Sequence, residues 1–225
     1  MKASAVIPAF NEAARIGRVL DAVSSSPLID QIIVVDDGSD DSTSAVAAKH
    51  NGAVVVRLPR NRGKAAAMVA GVGRAKNKVV VFLDADLIGL KQHHVDDLVL
   101  PVLRGEVDMT VGQFKGGRGW ITLWQRLVPN ISGQRAMRAS DFASVPNVAR
   151  KGFGVELAIT KHAIHQGLRM RLVYLLGMSH VTKEEKRGVV RGLRDRSVMY
   201  AQMLRSAVGN GYHHLLQTAE ERDRS

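Results

Sequence analysis

Short apolar runs alternate with helical patterns through the first half of the chain. This alternation restricts the possible folds of the protein more than any other feature of the sequence. The runs that we predict as strands are SAVIP, QIIVVDD, AVVVRL and KVVVFLDAD. The segments with helical spacing that follow them are EAARIGRVLDAV, DSTSAVAAKH, KAAAMVAGVGRA and VDDLVLPVLR. Such alternation is typical of a parallel sheet with helices packed on its faces. We therefore predict an α/β fold with a mostly parallel central sheet flanked by helices.

The second half of the chain departs from this regular pattern. A fifth strand is predicted near VDMTVG, and a later one at MRLVYLLG. A basic tract with helical spacing follows, from about Val189 to Leu216. The 225 residues suit one compact domain, and a hydrophobic content of 45% is enough to fill its core.

The composition excludes several kinds of protein and favours others. The chain has no cysteine, so disulfides, thiolate zinc sites and cysteine nucleophiles are excluded, and any metal must be held by oxygen or imidazole. The formal charge of +11 favours an anionic partner, which could be nucleic acid, a phosphorylated small molecule or an acidic membrane face. No apolar run reaches the roughly 18 residues that span a bilayer, and the N-terminus is not typical of a signal peptide. We expect a cytoplasmic protein.

Polar residues follow three of the predicted strands at the point where each strand ends. They lie in PAFNE after the first strand, DDGSDDST after the second and DADL after the fourth. Any one of these segments is explained by turn and helix-cap chemistry alone. Because the carboxyl ends of parallel strands meet at one sheet edge, where such sheets bind ligands, their joint occurrence favours a ligand site.

Asp84 and Asp86 place two like charges directly after a buried strand. Carboxylates so close together repel each other, and a divalent cation relieves that repulsion. The alternative is that the two side chains cap the next helix or lie in solvent. The D-x-D segment is therefore a candidate metal site.

On these residues the chain resembles the family 2 glycosyltransferases of the GT-A fold. The resemblance rests on VIPAFNE, VVDDGSDDST, NRGKAAAM, FLDADL and SGQRAMR, and spans about Ala5 to Arg138. It extends to polyprenyl-phosphate sugar transferases and to enzymes similar to glucosyl-3-phosphoglycerate synthase. It implies a single GT-A catalytic domain over 1–225, with a nucleotide-sugar-binding half at 1–112, an acceptor half at 113–188 and the basic helical tract at 189–225.

The resemblance also implies roles for individual residues. In the family the first two segments hold the nucleobase and ribose, and a lysine in the position of Lys64 lies near the donor diphosphate. By position, the donor-binding residues are Pro8, Ala9, Glu12, Asp36, Asp37, Lys64, Asp84 and Ala85. The implied ligands of a Mg²⁺ or Mn²⁺ cofactor are Asp84, Asp86 and His180, with Asp86 favoured as the direct ligand. For His180 the alternative is a solvated turn histidine.

The candidate acceptor site lies in the second half of the chain. Arg135 and Arg138 are three residues apart, so on a helical turn they could face one anion together, and the family places the S-G-x-R arginine by the acceptor phosphate. The alternative is a pair of solvated surface arginines. Glu156 heads an apolar helix, where it could bind acceptor hydroxyls, act as general base beside the catalytic Asp86, or cap the helix. No Glu-Asp pair typical of the family base is found, which favours a phosphate acceptor or a retaining mechanism.

Trp120 and Trp124 lie four apart in GWITLWQRLV, a spacing that would form an apolar stripe on a short helix. Such a stripe could rest in a bilayer interface, helped by the basic C-terminal tract, or it could pack on the sheet. Peripheral contact with the inner membrane face is therefore one of two interpretations.

These observations together predict a metal-dependent transferase that moves a hexose from a UDP or GDP sugar to a phosphorylated acceptor. A polyprenyl phosphate is the first acceptor, and a small soluble acid similar to phosphoglycerate is the alternative. A nucleic-acid-binding protein would explain the charge, but acids at strand ends repel phosphodiesters and an aromatic content of 4% leaves few stacking surfaces. We therefore expect no nucleic-acid partner, and a homodimer is compatible with the sequence.

Overall fold

The computed structural model describes residues 1–115, 132–150 and 154–180. Strands and helices alternate in it as far as Leu103. The elements of this first part are β1 (Ala3–Ala9), α1 (Ile16–Ser24), β2 (Ile29–Asp36), α2 (Thr43–Ala48), β3 (Ala53–Arg57), α3 (Lys64–Val72), β4 (Val79–Phe82), β5 (Leu87–Ile88) and α4 (Gln92–Leu103). Those that follow are β6 (Met109–Lys115), β7 (Arg135–Arg138), α5 (Ala139–Ala143), a 3-10 turn (Val148–Arg150), α6 (Val155–His165), β8 (Met170–Leu176) and β9 (Ser179–His180).

Seven strands form one sheet in the order β3-β2-β1-β4-β7-β6-β8. All neighbouring pairs are parallel except those that involve β7, which runs antiparallel to both β4 and β6. β5 and β9 form a separate antiparallel pair. The predicted α/β fold with a mostly parallel sheet flanked by helices is confirmed.

The core lies on both faces of the sheet. On one face, apolar side chains of β1 and β4 pack with those of α1 and α4. On the other face, the alternate residues of the same strands pack with α3, α5 and α6. This two-sided burial explains why β4 is a continuous apolar run, with all four of its residues buried.

Gly71 lets helix α3 approach the sheet closely. A Cβ atom at this position would overlap the side chain of Val6 on β1, so no larger residue fits without a shift of the helix. The close packing fixes the axis of α3, whose first residue is Lys64. Lys64 is thereby carried to the sheet edge at which β1 and β2 end.

Two local predictions are wrong. Pro8 does not end the first strand: it lies within β1 and pairs with Val35 of β2. The pairing of β1 with β4 ends two residues earlier, at Val6, so the missing N–H of Pro8 faces no strand on that side. Arg135 and Arg138 do not share a helical turn, because they form the two ends of strand β7.

Residues Met1–His180 form one compact unit. No helix in this described part of the chain is long and apolar enough to cross a membrane. Trp120, Trp124 and the tract from Val189 to Leu216 lie outside the described residues, so the membrane stripe, the basic helix and the three-part division of the domain stay predictions.

Asp108 generates a prediction about stability. Arg169 donates to it through its backbone N–H at 3.0 Å and through Nε at 3.0 Å, and these bonds, although burial opposes them, lower the pKa of Asp108 below its usual range. A lowered pKa stabilises the folded protein at pH values above the ordinary carboxyl pKa of about 4, and that stability is lost as the pH falls through the pKa of the folded state.

Asp108→Asn should therefore destabilise the protein at pH 7 and progressively less below pH 4, as measured by urea unfolding. Glu106→Gln, which affects an exposed pair with Arg171, is the control and should change little at either pH.

Candidate active site

The carboxyl ends of β1, β2 and β4 lie side by side, because these strands are parallel neighbours. Ala9 is the register partner of Asp36, and Val6 is the partner of Phe82. The polar segments PAFNE, DDGSDDST and DADL therefore start from one edge of the sheet, as the sequence predicts. This edge is where open α/β sheets bind ligands.

The loops after β1 and β2 are joined by hydrogen bonds through Asn11. Its backbone N–H donates to Ser39 Oγ at 2.9 Å, and its side-chain Oδ1 accepts the N–H of Asp40 at 2.9 Å. The N–H of Glu12 donates to Thr43 Oγ1 at 2.8 Å. Asn11 has φ of 56°, a left-handed conformation that asparagine tolerates better than most residues. The two loops are thus held together before any ligand binds.

Asp36 and Asp37 are buried and hold backbone N–H groups of the surrounding loops. Asp36 Oδ1 accepts the N–H of Ser39 at 2.8 Å. Asp37 Oδ1 and Oδ2 accept the N–H groups of Arg62 and Gly63 at 2.8 and 2.7 Å. Gly63 directly precedes α3, so Asp37 fixes the start of the helix that carries Lys64. The second oxygen of Asp36 accepts the hydroxyl of Ser44, so both carboxylates are held in place by the loops that they join.

Lys64, Asp84 and Glu156 form a group of charges that we call the Lys64 cluster. The ammonium Nζ of Lys64 lies 2.5 Å from Asp84 Oδ1 and 2.7 Å from Glu156 Oε1. Burial alone would lower the pKa of Lys64, but the two carboxylates outweigh it and raise the pKa above its usual range. The cluster joins the N-terminus of α3, the end of β4 and the first turn of α6.

The segment Ser132–Arg135 closes one side of the cluster. Gln134 Nε2 donates to Asp84 Oδ2 at 2.9 Å, so both oxygens of Asp84 have partners. A Cβ atom on Gly133 would lie 2.5 Å from Asp84 Oδ2 and 2.6 Å from Lys64 Nζ. Only glycine allows the backbone to come this close to the ion pair. Neither Gly133 nor Gln134 was predicted as a site residue, because uncharged residues in the SGQRAMR motif give no sign of such a contact.

The geometry agrees with comparisons to known proteins. The family model for glycosyl transferase family 2 matches residues 4–162, which include every residue of the Lys64 cluster. The chain belongs to glycosyl transferase family 2. The predicted resemblance is confirmed.

Relatives within family 2 are similar along much of this chain. Dodecaprenyl-phosphate galacturonate synthase of Rhizobium johnstonii is 34% identical over 189 residues, which are 80% of this chain and 52% of the relative. Glucosyl-3-phosphoglycerate synthase of Mycobacterium tuberculosis is 37% identical over 192 residues, which are 69% of this chain and 59% of the relative. The chain thus spans between half and two thirds of the length of these curated relatives.

Solved structures of the M. tuberculosis synthase share the fold. The structure in complex with Mn²⁺, UDP-glucose and phosphoglyceric acid has a TM-score of 0.67 and 30% identity, and the match covers 80% of this chain and 71% of that one. A second structure of the same enzyme holds Mg²⁺ and UDP, also with a TM-score of 0.67 and with 29% identity. The GT-A architecture predicted from the sequence is confirmed.

Two of the three predicted metal ligands, Asp84 and Asp86, lie just after the end of β4. Asp86 is half-buried there, two residues beyond Asp84. Strand β9 pairs with β5 so that the backbone of His180 lies opposite Leu87, the residue after Asp86, whereas the side chain of His180 lies outside the described structure. Among the described residues, no three His, Asp or Glu side chains form a group that could hold a metal. One or two carboxylates fit Mg²⁺ when diphosphate oxygens complete the shell, so Asp84 and Asp86 are sufficient in number and kind. Asp84 also contacts Lys64 Nζ at 2.5 Å.

The arginines predicted to share one acceptor anion do not face the same way. Residues three apart on a strand point to opposite faces of the sheet. Arg135 is fully buried, whereas Arg138 is exposed and pairs with Asp108 at 3.2 Å and with Asp141 at 3.9 Å. The prediction that both arginines grip a single anion is therefore wrong for this arrangement of the chain.

Gly133 provides a test of the cluster geometry. Gly133→Ala should separate Lys64 from Asp84 and lower the pKa of Lys64 toward its ordinary value. More of the amine would then be uncharged and reactive, so acylation of Lys64 by acetic anhydride should be about tenfold faster for each unit that the pKa falls. Peptide mass spectrometry measures the rate. Gly17→Ala is the control, since no atom lies within 4 Å of the added Cβ there; equal rates in both variants would contradict the described contact.

Proposed function

We propose that the protein is a metal-dependent glycosyltransferase that moves a hexose from a nucleoside diphosphate sugar to a phosphorylated acceptor. The observation that carries the proposal is the position of the Lys64 cluster. It lies beside Asp86 at the sheet edge where the loops after β1 and β2 also end, in a chain of glycosyl transferase family 2. One edge thus presents the ammonium of Lys64, the carboxylates of the D-x-D segment and two loops already joined by hydrogen bonds.

The donor is best explained as a UDP sugar, with a GDP sugar as the alternative. Support comes from the synthase of 30% identity whose structure holds Mn²⁺ and UDP-glucose. By position, the nucleobase and ribose would contact the loops after β1 and β2, with Pro8, Ala9, Glu12, Asp36 and Asp37 as the contacting residues. The joined loops would reduce the entropy cost of donor binding, because they need little further ordering.

The diphosphate would lie between the Lys64 cluster and Asp86. Asp86 would hold Mg²⁺ or Mn²⁺ together with phosphate oxygens, and His180 would complete the shell. When bound, the metal stabilises negative charge on the leaving diphosphate as a Lewis acid. Asp84 and Glu156 would orient the ammonium of Lys64 toward the diphosphate so that it needs no rearrangement during the reaction, while the charge of the bound metal would offset the two carboxylates. Ala85, the residue between the two aspartates, is buried in the apolar core, so the donor would contact its backbone.

The acceptor is proposed to be a phosphate monoester. Its phosphate oxygen is already anionic near neutral pH and needs no enzymic base, which suits a site in which Glu156 is engaged by Lys64. The relative that is a dodecaprenyl-phosphate galacturonate synthase supports a lipid phosphate. The synthase bound to phosphoglyceric acid supports a small soluble acid as the second candidate.

Asp86→Ala tests the donor site. Calorimetric titration of UDP, GDP and their glucose conjugates, with Mn²⁺ and with Mg²⁺, should show metal-dependent binding of one nucleotide to the wild type. Loss of a direct ligand should weaken that binding by about 100-fold or more, beyond the usual effect of an outer-shell residue. Asp97→Ala, which changes an exposed carboxylate on α4, is the matched control and should bind as the wild type does. Equal donor affinity in the Asp86 variant would refute the proposed site.

The acceptor class is tested by pairs of compounds that differ only in the phosphate. Radiolabelled UDP-glucose would be incubated with 3-phosphoglycerate or glycerate, and with polyprenyl phosphate or polyprenol in detergent. Transfer should occur to the phosphorylated member of one pair and fall to background with its partner. Comparable transfer to glycerate or polyprenol would contradict a phosphate acceptor.

A further inference from the structure

Arg135 is the largest fully buried side chain of the described residues, with an exposed fraction of 0%. An ionised guanidinium is costly to remove from water unless its N–H groups find acceptors. Here Nε donates to the carbonyl oxygen of Ser132 at 3.1 Å, and Nη1 donates to the carbonyl oxygen of Glu156 at 3.2 Å. Nη1 also lies 3.4 Å from Thr160 Oγ1. The charged end of Arg135 is thus directed into the protein.

These bonds link two parts of the chain that each hold one side of the Lys64 cluster. The carbonyl of Ser132 belongs to the segment whose Gly133 and Gln134 contact Asp84. The carbonyl of Glu156 belongs to the first turn of α6, and Thr160 Oγ1 donates to the same carbonyl at 3.0 Å. The guanidinium therefore fixes the distance between the segment that carries Gln134, which donates to Asp84, and the backbone of Glu156.

The guanidinium is suited to this task because its shape is rigid. It is planar and presents several N–H groups in a fixed fork, so it can hold two carbonyl groups in a set geometry. A lysine in its place would carry the same charge but could not reach both segments with the same directions. The requirement is therefore for the shape of arginine and not for its charge alone.

From this geometry we infer that Arg135 is a positioning residue, which holds Glu156 and Asp84 around the ammonium of Lys64, and is not a ligand of the acceptor phosphate. The inference rests on the proposed function, because it assigns a role within the same site. An acceptor anion would have to displace the buried guanidinium from the Ser132 and Glu156 carbonyl groups in order to reach it.

Two variants test the assignment. Arg135→Lys keeps the charge and removes the fork, and Thr160→Val removes a buried hydroxyl with little change of volume. In both, acylation of Lys64 by acetic anhydride should become faster than in the wild type. In Arg135→Lys, kcat should fall by about 10- to 100-fold, the scale expected for misplaced catalytic groups. The KM for the phosphorylated acceptor should stay within about twofold, and Thr160→Val should show the same pattern to a smaller degree.

Arg171→Ala is the matched control, because Arg171 is also a strand arginine but pairs at the surface with Glu106 at 2.8 Å. It should leave both readouts unchanged. A tenfold or larger rise in acceptor KM, with kcat and Lys64 acylation as in the wild type, would overturn the inference. So would a lower Tm without a change in either readout. If Arg135→Lys does not fold, Thr160→Val decides.

The experiment separates this inference from the proposed function. If the wild type binds no nucleotide sugar and transfers nothing, the proposed function fails. The acylation rate of Lys64 needs no substrate, so it still reports whether Arg135 and Thr160 hold the cluster. Unchanged acylation in both variants would overturn the positioning role even in an active glycosyltransferase.

Discussion

The ammonium of Lys64, shared between Asp84 and Glu156, is the interaction on which the arrangement of the site depends. Without a cation between them, two carboxylates at this sheet edge would repel each other and open the site. With it, they become fixed points that orient the ammonium in turn. The apolar strand β4 is followed by Asp84 because this carboxylate pairs with Lys64 at the edge of the sheet.

The three charged residues come from elements far apart in sequence, and the core determines where each element lies. Helix α3 is set by its contact with β1 through Gly71, and β4 is fixed between β1 and β7. Helix α6 packs on the same face of the sheet as α3. The charges are thus carried by rigid elements whose positions follow from apolar packing. Such preorganisation is what electrostatic stabilisation of a leaving group requires.

Much of the fold could be predicted from the sequence, because local periodicity and strand ends determine it. The alternation up to α4, the strands β6 and β8, and the meeting of three polar segments at one edge all follow from local patterns. The strand β7 does not. SGQRAMR has the i,i+3 spacing of a helical turn, and it is extended because β4 and β6 bind it from both sides. That pairing joins residues distant in sequence, which local spacing does not reveal.

The same reason limits what the sequence tells about the site. Lys64, Asp84 and Glu156 could be named one by one, but their contact with each other could not. Arg135 was predicted to face an external anion because of its spacing to Arg138 and its place in the S-G-x-R motif, whereas its acceptors are carbonyl groups of the protein itself. Gly133 and Gln134 carry no charge, so nothing in the sequence indicates a role in the site. Their proximity to Asp84 is seen only in the folded structure.

A crystal structure of the complex with Mg²⁺ and UDP would show whether this edge of the sheet is the donor site. The metal is expected at about 2.0–2.1 Å from a carboxylate oxygen of Asp86, next to the diphosphate, with Lys64 still in contact with Asp84. A metal bound elsewhere, or a diphosphate away from the edge where β1, β2 and β4 end, would contradict this expectation.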